Sequence, residues 1–236
     1  MADLDGKIAL VTGASRGIGA AVAVDLAARG AHVVLTGRTQ GALEEIDDSI
    51  RRAGGSATLL PLDLRLGDKI DPIGPSLYQR FGKLDILVHA AGVLGKLTPA
   101  GHITPKDLAE CVAVNLTATS RLIRTLAPLL VAADAGRAVF LTSSVARHPR
   151  AFWGAYGATK AALENLVLAW ADEISAGNAR INLFDPGKTA TRMRAMAFPG
   201  EDPTTLQTPA AVAPLIAALC RAEEQRHGAL VEAPRA

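Results

Sequence analysis

The sequence predicts an α/β fold: a doubly wound parallel sheet of seven strands with helices on both faces. Three observations predict it. Short apolar segments alternate with longer helical stretches along the whole chain, the pattern of strands joined by helical crossovers. The strand segments KIALV, HVVLT, LDILV and RAVFLT are nearly continuous apolar runs, as expected of strands covered on both sides. A glycine-rich turn, TGASRGIG, lies between the first strand and the first helix.

In order, residues 7–11 form the first strand, and the turn at 12–19 opens an Ala-rich helix to about Arg29. Residues 32–36 and 41–53 are the second strand and helix. The third strand, 58–60, leads to a polar step at Asp63. A helix over 68–81 follows, with Pro72 and Pro75 confining or breaking its first turn, because proline lacks the N–H and crowds the preceding turn. Residues 84–88 are the fourth strand, which runs into HAAG at 89–92. After a Gly/Pro-marked loop, Pro105 to about Val131 reads as one long helix, bent near its end by Pro128. Residues 137–142 are the fifth strand, 152–175 a helix, 179–184 the sixth strand and 228–231 the seventh. Between the sixth strand and a helix starting near Pro209, residues 189–208 are irregular and rich in Pro, Met and Arg. So long a connection reads as a substrate lid rather than a linker.

The 236 residues, 49% of them hydrophobic, fit one domain with a large core. A net charge of +2, with no run of five like charges, does not suggest a nucleic-acid partner. Cys111 and Cys220 are far apart in apolar helical contexts, which suits a reduced cytoplasmic protein better than a disulfide or metal framework. Neither HExxH nor CxxC occurs, so no metal site is expected. The acidic N-terminus runs straight into a strand, unlike a signal peptide, and no run of 18 apolar residues suggests a membrane span.

Two stretches carry chemistry. In the turn, Gly13, Gly17 and Gly19 give tight geometry and let a pyrophosphate approach the amides at the helix start, where unpaired N–H groups and a partial positive charge await it. After the second strand a site selective for NAD carries an acid for the ribose hydroxyl. Here Gly37 and Arg38 stand instead, and Arg38 and Arg16 could meet a 2′-phosphate, so NADP is expected over NAD. The second stretch is YGATK. Tyr156 and Lys160, four residues apart, share one helix face. A free tyrosine has a pKa of about 10. An ammonium ~4 Å away, at an effective dielectric of ~20, supplies about 4 kcal/mol, enough to bring a phenol toward neutrality.

TGASRGIG, Asp63, HAAG, Asn115, the serine pair at 143–144, YGATK and DPGKTAT fall in the order and spacing of the short-chain dehydrogenase/reductase superfamily, which the whole chain resembles. It is most similar to a bacterial subgroup sharing a WGAY segment and an AFPxEDP stretch. The resemblance implies a Rossmann fold and hydride transfer between NADP(H) and a small carbonyl or alcohol. It implies that Tyr156 is the acid/base, that Lys160 lowers the Tyr156 pKa and holds the nicotinamide ribose, and that Ser144 orients the carbonyl, with Ser143 as the fallback. Asn115 would hold a water of a proton relay. Asp63 and Leu64 would border the adenine, and Ala91 and Gly92 the adenosine ribose. Ser15 and Ile18 belong to the phosphate turn, while Pro186, Gly187, Thr189 and Thr191 would hold the nicotinamide carboxamide. His89 and Asp185 depart from the family's usual asparagines; His89 reads as a structural histidine and Asp185 as a cap on the turn that follows it.

Arg147, His148, Arg150, Phe152 and Trp153 precede Tyr156, which raises an anionic or thioester-linked acyl substrate beside the plainer reading of a solvated rim. The alternative to an enzyme is a non-catalytic NADP-binding sensor or scaffold on the same fold. A homodimer or homotetramer is implied by the resemblance, through the helices at 105–131 and 152–175.

Overall fold

The computed structural model describes residues 3–234. Seven strands form one sheet: β1 Ile8–Thr12, β2 His32–Gly37, β3 Ser56–Pro61, β4 Ile86–His89, β5 Arg137–Leu141, β6 Arg180–Asp185 and β7 Ala229–Glu232. Every pairing is parallel, in the spatial order β3-β2-β1-β4-β5-β6-β7. The chain builds outward from β1 to the β3 edge, then crosses back to place β4 on the other side of β1. That reversal opens a crevice at the carboxyl ends of β1 and β4, where open α/β sheets bind their ligands.

The strands alternate side chains between two cores. Ala9, Val11, Val33, Leu35 and Val139 join one cluster, with α1 (Gly17–Ala28), α2 (Gln40–Arg52) and, from further along the chain, the helix Pro209–Ala218. Leu10, Val34, Ala138 and Phe140 join the other, with α3 (Ile73–Phe81) and the helices Ala118–Ala132 and Gly154–Glu173. Burial on both faces is the reason the strands lack a polar alternation.

Three elements differ from the sequence expectation. The third strand is longer than its apolar signal, because it is a half-exposed edge. Its Ser56 and Thr58 hydroxyls bond His32 across the sheet, at 2.8 and 2.9 Å, in place of apolar packing. Within 68–81, only Gly67–Lys69 makes a short turn before α3 starts at Ile73. Pro72 stands at the helix cap and Pro75 in the first turn, where a missing N–H costs nothing.

The third difference is in the long helix. Helical backbone runs from Pro105 to Ala132, but Ala113–Thr117 winds as a π segment between α4 (Pro105–Val112) and α5 (Ala118–Ala132). The Thr119 hydroxyl donates to the Asn115 carbonyl at 2.9 Å there. Such bulges are inserted residues that re-aim side chains, and they recur at functional sites. Pro128 lies inside α5.

The helix α6 (Gly154–Glu173) precedes β6, and α7 (Arg192–Ala197) and α8 (Pro209–Ala218) follow it. The 189–208 excursion is closed at its base by a parallel bridge between Thr189 and Gln207. Ala190 N–H donates to the Gln207 carbonyl at 2.8 Å. Thr191 and Thr208 cap α7 and α8. Among the described residues, no helix is long and apolar enough to cross a membrane.

Phe140 sits fully buried under the crevice, edge-on to Trp170 and to His89. Phe140→Ala is expected to lower the unfolding free energy by roughly 3–5 kcal/mol in a denaturant titration.

Candidate active site

A cleft of about 810 Å³ runs along the carboxyl ends of the strands. At one end, β1 passes into the glycine turn. A Cβ on Gly13 would lie 2.9 Å from the Ala91 backbone, and one on Gly19 would lie 2.3 Å from the Gly13 carbonyl. Only glycine lets the turn, the end of β4 and the start of α1 approach this closely. The first turn of α1 has no capping side chain and no acid, so its N–H donors face the cleft unneutralised. Ser15, Arg16, Gly17 and Ile18 line the same end.

Arg38 lines the cleft just past β2, and no carboxylate stands at that strand end. The Thr36 hydroxyl, buried at the end of β2, has no hydrogen-bond partner. Asp63 and Leu64 border the cleft after β3. The Arg65 guanidinium grips Asp63 at 2.9 Å and holds its carboxyl below the usual range, with Arg38 contributing from further away.

The middle of the cleft is framed by a buried polar chain. His89 lies between the hydroxyls of Thr12 (2.8 Å) and Thr119 (3.0 Å). Ala91 N–H donates to the same Thr12 hydroxyl at 3.2 Å. Burial, with Lys160 second, pushes the His89 pKa down to about 3, so the ring is neutral and structural. Asn115 does not line the cleft. Its amide donates to the Val93 carbonyl (2.9 Å) and to the Thr159 hydroxyl (3.0 Å), and its Oδ1 accepts from Val93 N–H (2.8 Å). It clasps the loop after β4, which carries the cleft-lining Ala91 and Gly92, to α6.

At the far end, Tyr156 and Lys160 reach the cleft from the first two turns of α6, and both are buried. The Lys160 Nζ is 5.9 Å from the Tyr156 ring centroid and donates to the Leu141 carbonyl, at the end of β5, at 2.7 Å. Burial lowers the Lys160 pKa to about 8, against the pull of Glu164 and Asp185. The phenol behaves otherwise than the sequence suggests. Burial raises the Tyr156 pKa above its ordinary value of 10, Asp185 adds to the rise, and the Ser143 hydroxyl opposes it. Lys160 does not offset that rise, because the ammonium is turned to a carbonyl and loss of hydration outweighs a cation at this distance.

The serine pair divides. Ser143 lines the cleft and faces the phenol. Ser144 is exposed, starts a short turn and lies outside the cleft. Beyond β5 the backbone is still extended at Ser143, and a short turn begins at Ser144. Neighbouring serines are indistinguishable by residue type, so only the end of β5 separates them.

The opposite wall is the turn after β6, where Pro186, Gly187, Thr189 and Thr191 all line the cleft. Asp185 Oδ1 accepts from Gly187 N–H at 3.0 Å and so caps the turn, as the sequence suggests. Arg147, a candidate substrate contact in the sequence, is instead tied to Glu164, Asp185 and Glu232. The AFPxEDP stretch acquires a structural meaning that its sequence does not reveal. Phe198 packs beside Trp153 and under Arg194, and Arg194 pairs with Glu201.

The architecture and this site define a class, and comparison agrees with it: a short chain dehydrogenase family model matches residues 7–202. The chain belongs to the short-chain dehydrogenase/reductase family of oxidoreductases. It is 40% identical over 215 residues, 90% of this chain and 85% of the other, to the uncharacterized oxidoreductase YciK of Escherichia coli K12. Two solved structures named as short chain dehydrogenases are also similar. One, from Escherichia coli CFT073 in complex with NADPH, is 38% identical with a TM-score of 0.94, covering 100% of both chains. The other, from Shigella flexneri 2a in complex with NADP, is 37% identical with a TM-score of 0.93, covering 98% of this chain and 99% of that one.

A buried ammonium whose pKa falls from 10.5 to about 8 works against folding at neutral pH. The unfolded chain binds the extra proton between those values, so this group's contribution to stability rises with pH across that window. Lys160→Met is therefore expected to raise the melting temperature at pH 7. The advantage over wild type should shrink as pH rises from 8 toward 10.5, as read by thermal melts at several pH values.

Proposed function

We propose that this chain is an NADP(H)-dependent oxidoreductase that interconverts a carbonyl and an alcohol, with Tyr156 as the acid/base. One observation carries the reading. The phenol of Tyr156, the hydroxyl of Ser143 and the ammonium of Lys160 meet at one end of a cleft whose other end is an uncapped helix start with two arginines.

The residues fit a dinucleotide along that cleft. The amides at the start of α1 would take the pyrophosphate, and Arg16 and Arg38 the 2′-phosphate. The orphaned Thr36 hydroxyl borders the same end. Asp63 and Leu64 would border the adenine, Ala91 and Gly92 the ribose beside it. Pro186, Gly187, Thr189 and Thr191 would hold the carboxamide. When bound, the nicotinamide supplies or accepts the hydride.

The chain handles the proton. Ser143 donates a hydrogen bond that orients and polarises the carbonyl oxygen. The assignment moves one residue from Ser144 because the Ser143 hydroxyl is the one facing the phenol. Burial keeps the phenol protonated, which is the state needed to donate to that oxygen as negative charge grows there. The phenolate left behind sits close to Lys160, whose charge is strong in a site with little water. Asn115 acts by position, holding the loop after β4 against α6. In the reverse direction the same phenolate takes the alcohol proton. Leu108, Val131 and Leu168 are exposed on α4, α5 and α6 and fit a homodimer or homotetramer. The two buried free thiols suit a reducing, cytoplasmic setting, and 189–208 is read as the lid of a single domain.

The test follows 340 nm absorbance over a carbonyl panel with NADPH and with NADH. Tyr156→Phe is expected to lower kcat by roughly 10²–10⁴-fold, and Ser143→Ala by roughly 10²-fold or more. Ser144→Ala should stay within a few-fold of wild type. Equal losses for the two serine variants, or full activity in Tyr156→Phe, would contradict the assignment.

Arg38→Ala is expected to weaken NADPH binding about 10–100-fold, the worth of a hydrogen bond to a charged group. NADH binding, measured by fluorescence titration, should change little. An equal loss for both nucleotides would remove the 2′-phosphate reading.

A further inference from the structure

A second, smaller cavity of about 170 Å³ adjoins the cofactor cleft at Ser143. The two cavities share Ser143, Trp153, Asp185, Gly187 and Arg194, so they meet beside the hydroxyl that faces the phenol. Whatever holds its carbonyl at Ser143 and Tyr156 has this chamber for the remainder of the molecule. At ~30 Å³ for each water-sized group, the chamber admits about five or six such groups and no long chain.

Its wall is cationic and aromatic. Arg150, Lys188 and Arg194 all line it, with Trp153 and Phe198, and Asp185 adds a carboxylate to the same wall. The carboxylates nearby are already engaged. Asp185 is held by Arg147 at 2.8 Å, and Glu201 makes two bonds to Arg194, at 2.5 and 2.6 Å. Arg150 and Lys188 pair with no carboxylate among the described residues; they act on Glu201 only from a distance. Two unpaired cations therefore face a small chamber next to the reacting position.

Arg150 is also held in place. Its guanidinium lies 4.8 Å over the Phe198 ring and 6.0 Å from the centre of Trp153. The Arg194 guanidinium also lies over the Phe198 ring, at 3.7 Å. A guanidinium resting over an aromatic ring still has N–H groups to donate, and these match a carboxylate in a bidentate fork. Ordering an arginine in advance reduces the entropy lost when an anion binds.

We propose that this chamber binds a carboxylate, and that the substrate is a short oxo-acid, or the hydroxy-acid it becomes. Arg150 and Lys188 take the carboxylate while the carbonyl, a few atoms away, lies at Ser143. The inference rests on the carbonyl chemistry proposed above and narrows its substrate class. It also gives the AFPxEDP stretch a role: Phe198 is the platform for Arg150, and Glu201 neutralises the neighbouring Arg194.

The test has two arms, both on NADPH-loaded protein. The first compares 4-oxopentanoate with its methyl ester, which has nearly the same shape without the charge. Wild type should favour the acid by at least tenfold in kcat/KM, and the acid-to-ester ratio should fall toward one in Arg150→Gln/Lys188→Gln. The second needs no turnover and measures binding of pentanoate against pentanamide by ligand-observed NMR. Pentanoate should bind at least tenfold more tightly, and the double variant should lose the difference. Lys188→Gln alone, at an exposed side chain, gives a partial loss that cannot come from misfolding. Selective pentanoate binding without turnover of any carbonyl would support the anion chamber and overturn the reaction. Turnover of acid and ester at one rate, with pentanoate and pentanamide binding alike, would overturn the chamber and leave the reaction standing.

Discussion

The site depends on burying a phenol and an ammonium side by side at the carboxyl end of a parallel sheet. Neither group wants to be charged there: burial lifts the Tyr156 pKa and lowers that of Lys160 to about 8. The sheet makes the arrangement tolerable by supplying a carbonyl at the end of β5 to receive the ammonium at 2.7 Å. The phenol is thereby kept protonated, with the lysine close beside it. A site of this kind stabilises a change of charge during reaction better than either resting group.

The surroundings serve that pair. The His89 ring joins β1, β4 and α5 through two threonine hydroxyls, so the floor of the cleft is rigid and polar without being ionised. Asn115, in the π segment, bonds Val93 and Thr159, which ties the loop after β4 to α6. Arg147, enclosed by three carboxylates, fastens α6, the end of β6 and β7 together. Phe152, held at a φ of 74°, turns the chain sharply before α6 and brings Trp153 edge-on to Tyr156. A left-handed non-glycine residue costs about 1–3 kcal/mol, and such strain gathers where geometry matters for function.

Much of this was legible in the chain. Apolar runs revealed strands because strands covered on both faces have no polar side. The glycine turn and the Tyr–Lys spacing were readable because each imposes a local geometry on fixed residues. The cofactor-side residues named from the sequence, from Gly13 to Thr191, do line one cleft. What stayed hidden depended on contacts between distant segments. The β3 edge is polar because His32 partners it across the sheet. The π segment leaves no mark in composition. Ser143 and Ser144 differ only in where β5 ends, and the Tyr156 pKa turns on burial depth and on the direction of a lysine side chain. Arg147 was open to two readings, a substrate contact or a solvated rim, and is neither once its three carboxylates, one more than eighty residues away, are in place.

The chain has two tyrosines, Tyr156, which is buried, and Tyr78, which is 63% exposed. Labelling tyrosine Cζ with ¹³C and titrating the protein by NMR therefore yields two resolvable resonances, and Tyr156→Phe identifies one of them. Tyr156 should remain protonated well beyond the ordinary tyrosine value of about 10. Titration of Tyr156 below 10 in the protein alone would show that the lysine, and not burial, sets the state of the phenol, and would contradict the account.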